Sequence, residues 1–367
     1  MTPVTITALP FEVLYTILQR LSKDDLIRRC AFVSKTWCCV ARSLYHPWAN
    51  IRLKTDEDFK RFLNNLLSAS RMSEYIKSIQ INLMDTDRKV SLDRHETFKR
   101  ILSHCQNLNV ISFVPIKPET KDLMDTMMRF ITNCENSRDH SDSSTCLPNL
   151  EKIHVNYTDN MAVRKTYILM NYLCRSSIRW IRLEFHRDRE CLNYVNQHYG
   201  GLKRYLTAFR NLNTLHLLVG FDQEYPITEL LDNLLQLEVF SLHCPCLYLE
   251  QVQEALTKQY PNLKNLTISA GEIDISILPF IRYQFPNLET LCVLGTLKCA
   301  RTSVDVQPSA TIQDHQMLDD FVEYFAKSKN IKGLYLQLDY FTNYIRRFNR
   351  VGMKLINDFH NSFSDTL

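Results

Sequence analysis

Glycine is scarce in this sequence, with 7 residues in 367, about 2% against a usual level of about 7%. Loops that cradle phosphate groups depend on glycine, because only a missing side chain lets the backbone approach the ligand closely. The sequence contains no P-loop motif and no dinucleotide-binding fingerprint. These absences exclude the common glycine-rich nucleotide-binding sites.

Long apolar runs are missing as well. No stretch approaches the roughly 18 apolar residues that a membrane-spanning helix needs. The N-terminus lacks the basic start and apolar segment of a signal peptide, since Glu12 interrupts it. We therefore expect a cytoplasmic or nuclear location, in which the 12 cysteines are free thiols. The net charge of +4 is too small to indicate nucleic-acid binding, and no membrane contact is expected.

Catalytic and metal-binding motifs are also absent. The run His243-Cys244-Pro245-Cys246 brings three metal-ligating residue types together. Its Cys-x-Cys spacing is shorter than that of zinc sites, and no second pair follows. We predict no catalytic residue, no metal and no cofactor, and hence a protein that is not an enzyme. A nucleophilic cysteine paired with a histidine distant in sequence stays open as an alternative, although no residue is nominated.

Three short helices are predicted between residues 9 and 48. Pro10 suits the first turn of a helix, where a missing N–H costs little. One buried face of this helix is predicted from the 3.6-residue spacing of Leu14, Ile17, Leu18 and Leu21. Three helices of this size cannot make a stable core alone. We expect a partner or the rest of the chain to cover their apolar side.

Capping residues mark the second and third helices. Ser22, with Asp25 three positions later, has the form of a capping box and opens the second helix. Ser34 is placed to cap a third helix that carries Trp37 and Val40.

The same stretch resembles an F-box. The family pattern is Leu-Pro-x-Glu-hydrophobic-Leu, a hydrophobic pair, Leu-x-x-x-Asp-Leu and Val-Ser/Cys-Lys-x-Trp. It is matched in order and spacing by Leu9, Pro10, Glu12, Val13, Leu14, Ile17, Leu18, Leu21, Asp25, Leu26, Val33, Ser34, Lys35 and Trp37. The one departure, Cys38-Cys39, lies outside the signature positions.

The resemblance implies binding to the Skp-family adaptor of cullin–RING ubiquitin ligases and, through it, to a cullin. It assigns this contact to Leu9, Pro10, Glu12, Val13, Leu14, Ile17, Leu18, Leu21, Leu26, Val33 and Trp37. The alternative is an ordinary amphipathic helical cap on a longer domain.

A short phrase recurs after residue 70: Asn, an apolar residue, two variable residues, an apolar residue, one variable residue and an apolar residue. Clear copies occupy 107–113, 149–155, 211–217, 262–268, 287–293 and 330–336, and weaker copies without the Asn occupy 76–81, 178–183 and 237–242. The closing apolar-x-apolar pair has the period of a strand. Helical patterns fill the intervals at 123–131, 163–173, 252–260 and 317–325. Stacked strand–helix units would share one core.

These copies resemble a leucine-rich repeat array. The Leu-x-x-Leu-x-Leu kernel is kept, and the run from Leu212 to Leu288 meets the usual interval of about 20 to 29 residues. The Asn or Cys and the further Leu that normally follow are largely missing; after Leu263 these places hold Gly271 and Ile273. We therefore predict an α/β chain, with a three-helix F-box followed by a degenerate strand–helix solenoid whose parallel sheet lines the concave face. A parallel α/β domain of non-repeat type is the alternative.

The predicted domains are residues 1–50 for the F-box, 51–339 for the solenoid and 340–367 for a C-terminal helical cap. Two polar segments, 136–146 and 296–316, are predicted as loops.

The residue between the two apolar positions of each phrase should point outward from the sheet. This outward column is Gln80, Ser112, His154, Arg182, His216, Ser241, Thr267, Cys292 and Tyr335. We expect the residues at 154, 182 and 216 to lie side by side, and we predict target-binding residues at His154, Trp180, Arg182, Glu184, His216 and His243. Arginine and tryptophan are frequent interface anchors, and the hypothesis is that they read an acidic or phosphorylated segment. An ordinary polar strand surface is the alternative.

Together these patterns predict a substrate-recognition adaptor of a cullin–RING ligase, in which the helices bind the Skp-family adaptor and the repeats bind an unknown target protein. The alternative is a non-catalytic repeat scaffold without a role in ubiquitin transfer.

Overall fold

The computed structural model describes most of the chain in separate ranges. They are residues 11–45, 50–68, 73, 76–83, 92–114, 118–136, 147–156, 160–185, 189–220, 224–231, 234–249, 259–298, 312–340 and 344–350. Contacts divide the chain into two compact units, Met1–Ser177 and Ile178–Leu367. Each unit contains a parallel sheet whose strands alternate with helices, which agrees with a strand–helix solenoid after an N-terminal helical module.

The first unit begins with three helices and a 3-10 turn and continues with a four-stranded sheet. Its helices are α1 (Phe11–Leu18), α2 (Lys23–Arg28), the 3-10 helix Cys30–Phe32, α3 (Lys35–Tyr45), α4 (Asp56–Ser68), α5 (Leu92–His104), α6 (Pro118–Asn136) and α7 (Met161–Leu173). Its strands are β1 (Asn50–Leu53), β2 (Ser78–Ile81), β3 (Val110–Phe113) and β4 (Lys152–Val155), which pair in this order and are all parallel.

The second unit repeats the strand–helix alternation. Its helices are α8 (Arg189–Tyr199), α9 (Leu202–Thr207), α10 (Ile227–Leu231), α11 (Ile277–Gln284) and α12 (Ile312–Lys327). Its strands are β5 (Trp180–Glu184), β6 (Thr214–Leu218), β7 (Glu224–Pro226), β8 (Val239–Tyr248), β9 (Asn265–Asp274), β10 (Thr290–Lys298), β11 (Gly333–Tyr340) and β12 (Tyr344–Arg350). Strands β5, β6, β8, β9, β10 and β11 pair in this order in parallel, β7 adds to β8 in parallel, and β12 pairs with β11 antiparallel.

Each of the nine copies of the repeated phrase ends in one of these parallel strands, as the period of two predicts. Apart from Val155, which is partly exposed, the apolar pairs are buried in the core of their unit. In β6, for example, Leu215 and Leu217 are fully buried while Thr214, His216 and Leu218 remain partly exposed. Burying a leucine side chain stabilises a fold by about 1.5–3 kcal/mol, so the stacked pairs are a main source of stability.

In three copies, the Asn that opens the phrase connects its copy to the one before. The side-chain amide of this Asn donates a hydrogen bond to a backbone carbonyl of the previous copy. The accepting residue there is the one just before the first position of the phrase. These bonds run from Asn149 to Gln106 (3.3 Å), from Asn262 to Leu235 (3.0 Å) and from Asn287 to Pro261 (2.8 Å). We name these bonds the asparagine ladder. Leucine-rich repeats usually place such an Asn after the kernel, whereas this chain uses one before it.

Strands β8, β9 and β10 are longer than the phrase predicts, at 10, 10 and 9 residues. The pairing of β9 with β10 shifts register after Gly295, which has a φ of 154°. A side chain at this position would overlap the carbonyl oxygen of Ala270. Glycine therefore lets β9 and β10 pass this irregularity without a clash.

Two predictions about the chain's ends and loops need correction. Residues 344–350 form strand β12, so this part of the predicted C-terminal helical cap is wrong; backbone pairing with the open edge of β11 overrides the helical pattern. Residues 351–367 lie outside the described residues. The predicted loop at 296–316 begins inside β10 and ends inside α12.

Other predictions fall partly outside the described ranges. Loop residues 137–146 and most of the helical pattern at 252–260 are not described. Eight described cysteines are free thiols, whereas Cys134 forms a disulfide, so the prediction of free thiols does not hold for it. None of the described helices is both long enough and apolar enough to cross a bilayer.

Candidate functional site

The three N-terminal helices form a small core of their own. It consists of Leu14, Leu18, Leu26, Cys30, Val40 and Ala41, with Ala31 and Trp37 packed against it. Both predicted caps are present. The Ser22 hydroxyl accepts the N–H of Asp25 at 3.2 Å, and the Ser34 hydroxyl accepts the N–H of Trp37 at 3.1 Å. Each such cap contributes about 1 kcal/mol to its helix.

Helix α1 divides its apolar residues between two stripes. Leu14 and Leu18 are 1% exposed and lie in the core, whereas Val13, Ile17 and Leu21 are 43%, 47% and 41% exposed. Val13 and Ile17 are four residues apart and lie on the same side of α1, and Leu21 follows just after the helix ends at Leu18. The prediction of one buried face is therefore wrong for Ile17 and Leu21, because the core takes only the adjacent stripe.

The 3-10 turn after α2 adds two more exposed apolar side chains. Cys30 is buried, while Phe32 and Val33 are 82% and 52% exposed. Phe32 was not predicted from the sequence, because the F-box pattern specifies no residue type at this position. We call Val13, Ile17, Leu21, Phe32 and Val33 the exposed apolar surface.

The remaining adaptor-contact predictions have different locations. Leu26 is buried in the core, and Trp37 is partly buried against it. Glu12 lies in α1. Leu9 and Pro10 are outside the described residues.

The second candidate surface is the outward face of β5, β6 and β8. Arg182 is in register with His216, and Glu184 is in register with Leu218, which is in turn in register with His243. This register aligns the residues of the predicted column within the second unit, but the column is not exposed throughout, since Ser241 and Cys292 are only 7% and 2% exposed. It continues through Ser241, Thr267, Cys292 and Tyr335.

Charged and aromatic groups on this strand face contact each other. The Nε atom of Arg182 lies 2.6 Å from Oε1 of Glu184, and their side chains are 25% and 11% exposed. The rings of Trp180 and His216 are 5.6 Å apart between centroids and tilted by 50°. The arginine is therefore held by a carboxylate of its own strand, which the sequence alone did not predict.

His154 belongs to the first unit. It is in register with Ser112, which is in register with Gln80, so the outward column holds there too. Its Nε2 atom lies 3.1 Å from Oδ1 of Asn156. Because the two units are described separately, the predicted neighbourhood of His154 and Arg182 stays a prediction.

Two cysteines of the second unit, Cys244 and Cys292, are poorly suited to act as nucleophiles. Burial raises the pKa of Cys244 and of Cys292 to about 12, so both are protonated thiols at neutral pH. Within the described ranges, no group of three His, Cys, Asp or Glu side chains is arranged to hold a metal ion.

Comparison with known families bears on the first surface. Residues 6–54 match the family model described as F-box-like, which includes all three helices and the whole exposed apolar surface. The match supports an F-box protein and ends before the first copy of the repeated phrase. No curated protein matches the chain. The resemblance to leucine-rich repeats therefore remains a prediction.

Proposed function

We propose that this protein is the substrate-recognition subunit of a cullin–RING ubiquitin ligase, with the N-terminal helices binding a Skp-family adaptor and the strand face binding a target. One observation carries the proposal: an exposed apolar surface lies within the segment that matches the F-box-like family. Soluble proteins seldom expose contiguous apolar side chains unless a partner covers them.

The predicted adaptor residues divide into two roles under this proposal. Leu14, Leu18 and Leu26 hold the helices together and make no direct contact, because they are at most 5% exposed. Val13, Ile17, Leu21 and Val33 bury their side chains against the adaptor, while Leu9, Pro10, Glu12 and Trp37 join them by resemblance to the family pattern.

We further propose that Trp180, Arg182, Glu184, His216 and His243, together with His154, bind the target. An acidic or phosphorylated target side chain would compete with Glu184 for Arg182, since charge-assisted pairing with arginine is strong. This competition predicts opposite changes in target binding for two substitutions. Glu184→Gln should strengthen the binding of an acidic segment, and Arg182→Glu should abolish it. The opposite pattern would contradict an acidic target.

The protein's contribution to ubiquitin transfer would be proximity. A target held by one part of the chain, while another part is bound to the ligase, meets the loaded conjugating enzyme at a high effective concentration. No residue of this chain then needs to take part in bond making.

Co-purification with a Skp-family adaptor and a cullin tests the adaptor role. We would compare the native chain with Ile17→Asp and with Leu67→Asp, a matched variant of another exposed leucine (49%) on helix α4. We expect Ile17→Asp to lose the adaptor and Leu67→Asp to retain it, with both variants folded by circular dichroism. A folded native chain that recovers no adaptor would refute the ligase role and favour a non-catalytic scaffold.

A further inference from the structure

Phe32 is the most exposed large apolar side chain among the described residues. It is 82% exposed, against 37–53% for the other exposed large apolar side chains. An aromatic ring contributes more contact area than an aliphatic side chain, and aromatic residues are enriched at the centres of protein interfaces. A phenylalanine so placed therefore indicates a partner that covers it.

The local backbone explains why the ring points outward. The 3-10 helix Cys30–Phe32 has three residues per turn, so only one of its side chains faces the core. Cys30 takes that position and is buried, and Ala31 packs at the margin of the core. The N–H of Val33 donates to the carbonyl of Cys30 at 3.2 Å, which closes the turn and fixes the direction of Phe32.

Phe32 also adjoins residues already assigned to the adaptor contact. It directly precedes Val33, which is 52% exposed, and both lie inside the segment that matches the F-box-like family. The ring therefore adds a large exposed apolar group beside Val33, in the same family-matching segment as Val13, Ile17 and Leu21.

We propose that Phe32 is an aromatic anchor of the adaptor contact, inserting its ring into an apolar pocket of the Skp-family adaptor. This inference rests on the proposed function and adds to it a residue outside the F-box pattern. The F-box signature residues then provide a generic contact, and Phe32 provides affinity particular to this chain.

The test is the affinity of the full chain for a purified Skp-family adaptor, measured by isothermal titration calorimetry. Phe32→Ala should weaken binding by at least tenfold, the usual effect of truncating an anchoring aromatic residue. Phe32→Leu should fall between the native chain and Phe32→Ala, because it retains part of the apolar area. Leu67→Ala, which removes an exposed leucine elsewhere in the first unit, should bind like the native chain.

Folding and function are separable in this experiment. Phe32 is exposed, so its truncation should leave the urea midpoint of unfolding unchanged. If Phe32→Ala binds normally while Ile17→Asp does not, the adaptor role stands and the anchor is refuted. If the native chain does not bind, the proposed function fails and the anchor fails with it.

Discussion

Gln284, the last residue of helix α11, is a position where we expect a substitution to stabilise the fold. Its side chain is fully buried, and neither the amide nitrogen nor the amide oxygen has a hydrogen-bond partner among the described residues. Leaving a buried donor or acceptor unpaired costs about 1–3 kcal/mol for each group. Methionine has nearly the same length and no amide, so Gln284→Met should remove both costs without leaving a cavity.

The expected gain is about 2 kcal/mol, taking the lower end of that range for each of the two atoms. For a unit of this size it corresponds to a rise of about 4–8 °C in the melting temperature of the second unit. The backbone carbonyl of residue 284, which accepts the N–H of Tyr260 at 2.8 Å, is unaffected by the change.

Differential scanning calorimetry and urea unfolding would measure this gain. Gln197→Met, on the exposed face of helix α8, is the matched control and should change stability by less than about 0.5 kcal/mol. A loss of stability in Gln284→Met would refute the reasoning, because it would mean that the amide is hydrogen-bonded in the folded protein.

Three further predictions concern the fold. Gly295→Ala should lower the free energy of unfolding by about 3 kcal/mol in urea, since φ is positive and a Cβ there would overlap the Ala270 carbonyl oxygen. Gly201→Ala, also at positive φ but with its nearest neighbour, Oδ1 of Asn196, at an unstrained 3.9 Å, should lower it by about 1 kcal/mol, and equal losses would contradict this reasoning. Burial lowers the pKa of His95, whose Nδ1 lies 2.6 Å from the Thr126 hydroxyl. The first unit should therefore lose stability as pH falls below about 6.5, because the unfolded chain binds a proton that the folded chain disfavours. His95→Gln should reduce the difference between the free energies of unfolding measured at pH 7.5 and at pH 5.5. If that difference is unchanged in the variant, His95 is not its cause. Ser22→Ala should lower stability by about 1 kcal/mol through loss of the α2 cap, and its circular dichroism should report less helix.

The sheet was largely predictable from the sequence, because the repeated phrase marks nine strands directly. Strands β1, β7 and β12 carry no copy of the phrase and were missed. Their pairing is decided by an open edge of the neighbouring strand, which is a property of the assembled sheet. The lengths of β8 to β10 were also missed, since the irregularity at Gly295 depends on contacts between strands.

The N-terminal helices show a different limit. A period of 3.6 residues identifies which side chains of α1 are apolar, and the stripe spans both Leu14 and Ile17. It cannot tell which part of a wide stripe faces the core and which faces a partner, because both require the same residue types. Likewise, the pairing of Arg182 with Glu184 depends on rotamers, which a sequence does not show.

The asparagine ladder has a consequence for how this chain can vary. Successive copies of the phrase begin 25 to 43 residues apart, yet their strands remain in step. The copies that open at Asn149, Asn262 and Asn287 begin 42, 26 and 25 residues after the copy before. Each of these asparagines makes the same bond to the previous copy, so at these three places alignment does not depend on the length of the connecting segment. Segments between strands could therefore lengthen or shorten over evolution while the side chains presented by the strands kept their relative positions.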